Sequence, residues 1–206
     1  MLNITPLVRI YGTRRLRKLA AMNAADIQQR QLLGLVARAS RTTFGRDHDF
    51  KSIRSVTEFQ ARVPLRRYED FQERYWGDAF PDLRGVTWPS RVPYLAVTSG
   101  TTSGRTKYIP CTNEMISSNT MAGLDLICHH LASRPGSKIL GGKSFMLGGS
   151  TDFTDEAPGI RSGDLSGIMT ANLPWWFRSR SFPSQELASV TDWELKVGRM
   201  VRALDG

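Results

Sequence analysis

Residues 94–110 read Tyr-Leu-Ala-Val-Thr-Ser-Gly-Thr-Thr-Ser-Gly-Arg-Thr-Lys-Tyr-Ile-Pro, an apolar run followed by small and hydroxyl residues and a second short run. Tyr94 to Val97 fits a buried strand, and Tyr108-Ile109 fits a strand that returns beside it. Within Thr98–Gly104, two glycines permit backbone conformations that turn several N–H groups toward one point, and five hydroxyls add donors. The stretch therefore predicts a hairpin whose loop binds phosphate.

Two other types of glycine-rich site do not fit this loop. The P-loop of nucleoside triphosphatases places a lysine directly after its second glycine, whereas Lys107 stands three residues beyond Gly104. A serine hydrolase needs a GxSxG elbow after an apolar strand, and the chain has none there. The remaining alternative is a polar surface hairpin whose residues serve only turn geometry. Seven Ser, Thr and Gly residues in succession argue against it.

The composition is that of a globular protein, with 40% hydrophobic and 23% charged residues among 206. No apolar run approaches the roughly 20 residues of a bilayer-spanning helix, so no membrane partner is expected. Cys111 and Cys128 stand in no zinc-binding or disulfide-scaffold spacing, which favours a reducing cytoplasm. His129 and His130 would point to different faces of a helix, and the third histidine is His48. No metal site is predicted.

Most of the net charge of +9 lies in residues 1–46, which hold nine basic residues and one acidic residue. This segment lacks the interleaved aromatic residues of a single-strand binder, and no zinc finger or RNA-recognition motif accompanies it. We therefore expect a solvated basic helix face and no nucleic-acid partner. A mitochondrial transit peptide is a second interpretation, which the low serine content opposes.

Helical patterns dominate residues 1–78. Residues 26–40 repeat apolar side chains at the helical period, with Asp26 as the expected cap. Ser55 and Glu58 have the spacing of a capping box at the start of another helix. The first 78 residues are thus predicted to be mostly helical and basic.

Residues 79–206 are predicted to combine strands, the phosphate loop and helices. Three further elements are expected: a helix that Thr112 caps and that ends before Pro135, a strand over residues 144–147 and a C-terminal helix over residues 190–204. Residues 148–167 have the composition of one long Gly/Asp/Thr-rich loop. The overall prediction is a mixed α/β fold in which a helical segment precedes the strands.

These motifs resemble the Gretchen Hagen, or auxin-responsive promoter, family of acyl acid-amido synthetases, bacterial type, within the adenylate-forming superfamily. Thr98–Gly104 is similar to the family's Ser/Thr-Ser-Gly-Thr-Ser/Thr-x-Gly phosphate loop, and Lys107–Pro110 is similar to the Lys-x-Ile-Pro that follows. The superfamily usually has Gly-x-Lys here, and this chain is one residue longer, as in the family. Further similar motifs are Phe44–Arg46, Phe59–Leu65, Tyr68–Asp70, Leu147–Ser150 and Gly163–Ser166.

The resemblance implies a ligase reaction in two steps. ATP, accompanied by magnesium, adenylates a small carboxylic acid with release of pyrophosphate, and the amine of an amino acid then attacks the acyl-adenylate to form an amide. The implied ATP-binding residues are Thr98, Ser99, Gly100, Thr101, Thr102, Ser103 and Gly104. Lys107 is the candidate catalytic residue, because its ammonium would place a positive charge beside the phosphates.

The family's adenine- and ribose-binding motifs would lie beyond residue 206. The resemblance therefore implies that residues 1–206 form an incomplete N-terminal portion of an adenylate-forming domain, inactive alone. Two other functions stay open: a non-catalytic nucleotide- or acid-binding module, and a basic-tailed nucleic-acid binder.

Three weaker site candidates remain in the second half of the chain. Trp175-Trp176-Phe177 could line an acyl pocket, although such a run more often anchors a core. Arg161 could reach a substrate carboxylate with both of its terminal nitrogens, although a surface arginine is the more common case. The acidic residues of the expected long loop, which have no calcium-binding spacing, are Asp152, Asp155, Glu156 and Asp164.

Overall fold

The structure, a computed structural model, describes residues 2–98, 106–145 and 151–204. The α-helices of these ranges are α1 (Thr5–Ala20), α2 (Ala24–Ala39), α3 (Thr43–Asp47), α4 (Val56–Arg62), α5 (Tyr68–Phe71), α6 (Asn113–Ser133), α7 (Leu165–Ala171), α8 (Trp175–Arg178), α9 (Gln185–Ala188) and α10 (Trp193–Leu204). The strands are β1 (Tyr94–Thr98), β2 (Lys107–Cys111), β3 (Ser144–Phe145), β4 (Thr154–Ala157), β5 (Ile160–Gly163) and β6 (Ser181–Phe182). The predicted mixture of helix and sheet is confirmed.

The first 76 residues are mainly helical, and α2, α3 and α4 each begin at a side-chain cap. Asn23 is extended and accepts hydrogen bonds from the backbone N–H groups of Ala25 and Asp26, at 3.0 and 3.3 Å. The prediction that Asp26 caps this helix is wrong, because Asp26 already lies in the first turn of α2. Ser55 caps α4 as predicted, since its hydroxyl accepts from the N–H of Glu58 at 3.1 Å.

The helical region has its own apolar core beneath α2. Its buried members are Val36, Ala39, Phe50 and Ile53. The ring of Phe44, in α3, packs edge-on against Phe50 with centroids 5.6 Å apart. Burial of this cluster stabilises the region because short helices are marginal without tertiary packing.

Helix α1 lies against α6, and its basic residues divide between two faces. Arg15 donates to both carboxylate oxygens of Asp125 at 2.7 Å, and Arg9 donates to the carbonyl of Ser137 at 3.2 Å. The expectation of a wholly solvated basic face is therefore wrong for these two arginines. Contacts more than 100 residues apart in sequence anchor them, and a charge count cannot reveal such contacts. The exposed basic residues of α1 are Arg14, Arg17 and Lys18.

The ion pair between Arg15 and Asp125 makes a testable contribution to stability. Its side chains are 23% and 19% exposed, and the Arg15 guanidinium holds the pKa of Asp125 below its ordinary value through the hydrogen bonds. A lowered carboxylate pKa stabilises the fold above the ordinary pKa, and this stabilisation is lost as the pH falls through the lowered value. Asp125→Asn is expected to cost about 1 kcal/mol at neutral pH.

The measurement is urea unfolding of both proteins across pH. The difference between them should vanish as the pH falls from about 5 toward 2. Asp155→Asn, at an exposed position of β4, is the matched control and should change little at any pH. A difference between parent and Asp125→Asn that stays constant with pH would contradict the assignment.

The main sheet has the strand order β2-β1-β5-β4. Strand β1 pairs antiparallel with β2 and parallel with β5, and β5 pairs antiparallel with β4. The predicted first hairpin is confirmed. A second, two-stranded sheet joins β3 and β6 in parallel. The expected strand at residues 144–147 is confirmed over Ser144–Phe145, and residues 146–150 lie outside the described ranges.

The prediction of one long loop over residues 148–167 is wrong, because Thr154–Gly163 forms a hairpin and α7 begins at Leu165. The turn uses Gly159, whose φ of +72° suits glycine. Strand β4 carries polar residues at the sheet edge, so it lacks the apolar alternation that marks a strand in a sequence. On β5, Ile160 and Ser162 are buried.

Strand β1 lies between β2 and β5, and both of its faces are buried. Tyr94 and Ala96 belong to one buried cluster with Ile168, whereas Leu95 points into another with Ile160. A strand buried on both faces reads as a continuous apolar run, which is why residues 94–97 predict it clearly. The helix after the hairpin begins as expected, with Thr112 accepting from the N–H of Met115 at 3.1 Å. Among the described residues, no helix is both long and apolar enough to cross a bilayer.

Candidate phosphate-binding site

The candidate site begins where the first hairpin ends. In the register of β1 and β2, Thr98 pairs with Lys107. This pair therefore closes the base of the segment that joins the two strands. Thr98 is exposed and Lys107 is partly buried. The predicted phosphate-binding residues from Ser99 to Gly104 lie outside the described ranges, and their role stays a prediction.

The ammonium of Lys107 contacts two residues of α5. Its Nζ lies 2.6 Å from Oε1 of Glu69 and 5.1 Å from the centre of the Tyr68 ring. The hydrogen bond from Lys107 holds the pKa of Glu69 below its ordinary value, so the carboxylate stays charged at neutral pH. An ammonium has three N–H donors, and Glu69 takes one of them. Two donors can therefore serve other oxygens at the same time.

Tyr68 also fixes the backbone of β2. Its hydroxyl accepts from the N–H of Tyr108 at 3.0 Å and donates to Oε1 of Gln72 at 3.2 Å. Since β2 is an edge strand of the sheet, this bond satisfies a backbone N–H on a strand that has a neighbour on one side only. Tyr68 thus joins the helical region to the start of β2.

Sequence reasoning identifies Tyr68–Asp70 as a family motif but gives Tyr68 and Glu69 no role. Lys107 is 38 residues from Glu69 in the chain, so no local spacing relates the two. The sequence offers only an indirect indication of this contact. It has an acidic residue in the first turn of a helix and, elsewhere in the chain, a lysine after a glycine-rich segment.

A cavity of about 620 Å³ lies beside these residues. Its size is within the range of small-molecule sites, roughly 300 to 1,000 Å³. It is lined by Tyr68, Glu69, Gln72, Glu73, Phe80, Thr106, Lys107 and Tyr108. Phe80 packs edge-on against Tyr108, with ring centroids 5.1 Å apart, which makes one wall aromatic. The cavity therefore presents both charge and an aromatic surface next to the base of the loop.

Arg161 is not part of this cavity. It lies on β5 opposite Tyr94, at the other end of β1 from Thr98. Its Nη2 donates to the Tyr94 hydroxyl at 2.8 Å, and its guanidinium stacks on the rings of Tyr94 and Phe153 at 5.2 and 5.1 Å. These contacts support a structural role in the sheet.

None of the other weaker candidates lines this cavity. Trp175 is 79% exposed, and Trp176 lines a separate apolar groove with residues of α1. Glu156 accepts a hydrogen bond from the Ser162 hydroxyl at 2.6 Å. His48 is buried, with Nδ1 2.8 Å from the carbonyl oxygen of Phe44. No group of three or more His, Cys, Asp or Glu side chains that could hold a metal occurs in the described part of the chain.

Comparisons with known proteins identify the fold and the family of the chain. The chain is similar to a structure of "GH3.15 acyl acid amido synthetase", with a TM-score of 0.73 and 17% identity over 98% of this chain and 34% of that one. It is also similar to "AtGH3.15 acyl acid amido synthetase in complex with 2,4-DB", with a TM-score of 0.61 and 20% identity over 76% of this chain and 27% of that one. The chain thus spans about a third of the length of these synthetases, whose likeness shows the fold.

No curated protein matches the chain. The model of the "GH3 family N-terminal domain" matches residues 14–198. Since this match covers most of the sequence, the chain belongs to the GH3 family.

Proposed function

We propose that this chain supplies the ATP-phosphate-binding part of an acyl acid-amido synthetase. The observation that carries the proposal is the pairing of Thr98 with Lys107, which places a lysine where a glycine- and hydroxyl-rich segment leaves the sheet. Backbone N–H groups and hydroxyls that converge on one point suit a phosphate chain. Each hydrogen bond to a charged oxygen contributes about 1.5 to 3 kcal/mol.

In this proposal the chain positions a leaving group and forms no covalent intermediate. Residues Ser99 to Gly104 hold the phosphate oxygens, and Lys107 adds positive charge where pyrophosphate leaves ATP as the carboxylate oxygen bonds to the α-phosphorus. Fixed donors and charges of this kind act by electrostatic stabilisation and orientation. Magnesium would accompany ATP, with ligands from the phosphates, water and one or two protein carboxylates.

The substrates of the proposed reaction are a small carboxylic acid and an amino acid. Membership of the GH3 family and the fold of two acyl acid amido synthetases support this class. The chain spans about a third of those synthetases. In this proposal, therefore, adenylation and amide formation require a full-length synthetase, and this chain contributes phosphate binding.

The proposal predicts that the isolated chain binds MgATP through the hairpin loop. Thr101→Ala removes one hydroxyl donor, and we expect the dissociation constant for MgATP to rise about tenfold, equivalent to about 1.4 kcal/mol. Isothermal titration calorimetry of the 206-residue chain is the measurement.

Thr154→Ala, at an exposed position of β4, is the control and should bind as the parent does. If the parent shows no binding at millimolar MgATP, or if both alanine variants bind equally well, the loop is misassigned. In a whole synthetase of this family, the same Thr101 substitution should slow ATP–pyrophosphate exchange by about tenfold.

A further inference from the structure

Two consecutive residues of α5 hold the start of β2 at three points. Glu69 binds the Lys107 ammonium at 2.6 Å, and the Tyr68 ring lies beneath the same ammonium at 5.1 Å. The Tyr68 hydroxyl accepts from the N–H of Tyr108 at 3.0 Å. The helical region therefore fixes both the side chain of Lys107 and the backbone of the next residue.

These contacts direct a flexible side chain. A free lysine populates many rotamers, and ordering it costs up to about 2 kcal/mol. Here the ammonium is already bound on one side, and the Lys107 side chain is only 24% exposed. When a ligand binds to a cation that is already ordered, less side-chain entropy is lost on binding, and this is the general benefit of preorganisation.

The contacts also leave the ammonium able to bind an anion. The Glu69 carboxylate accepts from one of the three N–H groups of the ammonium. The Tyr68 ring attracts the ammonium through its face and does not use up an N–H donor as a phosphate oxygen would. Glu69 itself is 57% exposed, so the high dielectric constant of the surrounding water reduces the effect of its charge on an anion bound to Lys107. The geometry supports orientation of Lys107 more than neutralisation of its charge.

We infer that Glu69 and Tyr68 are positioning residues for phosphate binding, which hold the Lys107 ammonium at the base of the hairpin loop. This inference rests on the proposed function and adds two residues to it. Neither residue needs to touch the phosphates. Their effect is exerted through the placement of Lys107 and of the first residues of β2.

The test measures binding of tripolyphosphate and of MgATP to the 206-residue chain by calorimetry, together with the thermal midpoint without ligand. Lys107→Ala should weaken binding of both ligands about tenfold, as loss of a charged hydrogen bond does. Glu69→Gln should weaken it about fivefold, because its charge no longer holds the ammonium. Tyr68→Phe removes only the hydroxyl and should weaken binding while the ring stays in place.

The matched control is Asp49→Asn, which removes an exposed ion pair with Arg62 at 2.7 Å elsewhere in the helical region. It should leave both affinities unchanged. A double variant that exchanges the two charges, Glu69→Lys with Lys107→Glu, distinguishes a role of the ion pair in phosphate binding from a role in stability alone. It should restore the thermal midpoint by rebuilding the ion pair, but it should not restore affinity, because the ammonium no longer stands on β2.

The outcomes distinguish the two proposals. If the parent chain binds neither ligand, or if Lys107→Ala binds as the parent does, the assignment of Lys107 in the proposed function fails and the inference fails with it. If Lys107→Ala weakens binding while Glu69→Gln binds equally well or more tightly, only the positioning role is overturned. Recovery of both midpoint and affinity in the charge-exchanged protein would also overturn it, since the pair would then be structural.

Discussion

Replacing Gly45 with alanine is expected to lower the free energy of unfolding by about 3 kcal/mol. A Cβ at this position of α3 would lie 2.0 Å from the carbonyl oxygen of Ala39 and 3.0 Å from Cα of Ser40. Both are backbone atoms, so no side-chain rotation can relieve the overlap. The same carbonyl accepts from the buried Thr42 hydroxyl at 2.7 Å, and Thr42 caps α3 through the N–H of Gly45 at 2.9 Å.

The chain offers a matched control for this effect. Gly34 lies within α2, and a Cβ added there meets nothing within 4 Å. Gly34→Ala should therefore stabilise the protein by about 0.5 to 1 kcal/mol, because alanine loses less backbone entropy in a helix. Urea unfolding followed by circular dichroism measures both. Equal changes at the two sites would show that helix propensity, and not contact with Ala39, decides the outcome.

Gly45 also shows what a sequence motif leaves unexplained. The resemblance of Phe44–Arg46 to a family motif identifies the position without a reason, and the structure supplies a steric one. Other local features were predictable with their causes. Ser55 and Thr112 cap helices through hydrogen bonds to N–H groups three residues ahead, and such short-range bonds depend on neighbouring residues alone.

Contacts between distant segments were not predictable in this way. The pairs Glu69–Lys107 and Arg15–Asp125 join residues 38 and 110 positions apart. The packing of the helices against one another and against the sheet brings these residues together. The periodicity of a single sequence does not predict that packing. The hairpin of β4 and β5 escapes prediction for a different reason, since an edge strand made mostly of polar residues has the composition of a loop. The loop residues from Ser99 to Gly104 stay a prediction.

The largest single loss of stability is expected for Leu95→Ala. Leu95, the second residue of β1, is fully buried and belongs to a cluster with Leu83, Val92 and Ile160. Truncation of a buried leucine removes its transfer free energy and leaves a cavity, at a cost of about 3 to 5 kcal/mol where the surroundings cannot collapse. Here β2 and β5 flank β1 on both sides through backbone hydrogen bonds, so the strands cannot move inward independently.

Leu126→Ala provides the control, because Leu126 is 72% exposed on α6 and its truncation should change stability by no more than about 0.5 kcal/mol. Leu95→Met keeps the volume and should cost less than about 1.5 kcal/mol, which preserves a folded protein for comparison. Urea unfolding gives all three values. Since β1 ends at Thr98, any loosening that accompanies Leu95→Ala should also weaken MgATP binding. Equal losses for Leu95→Ala and Leu126→Ala would contradict the central place of β1 in the core.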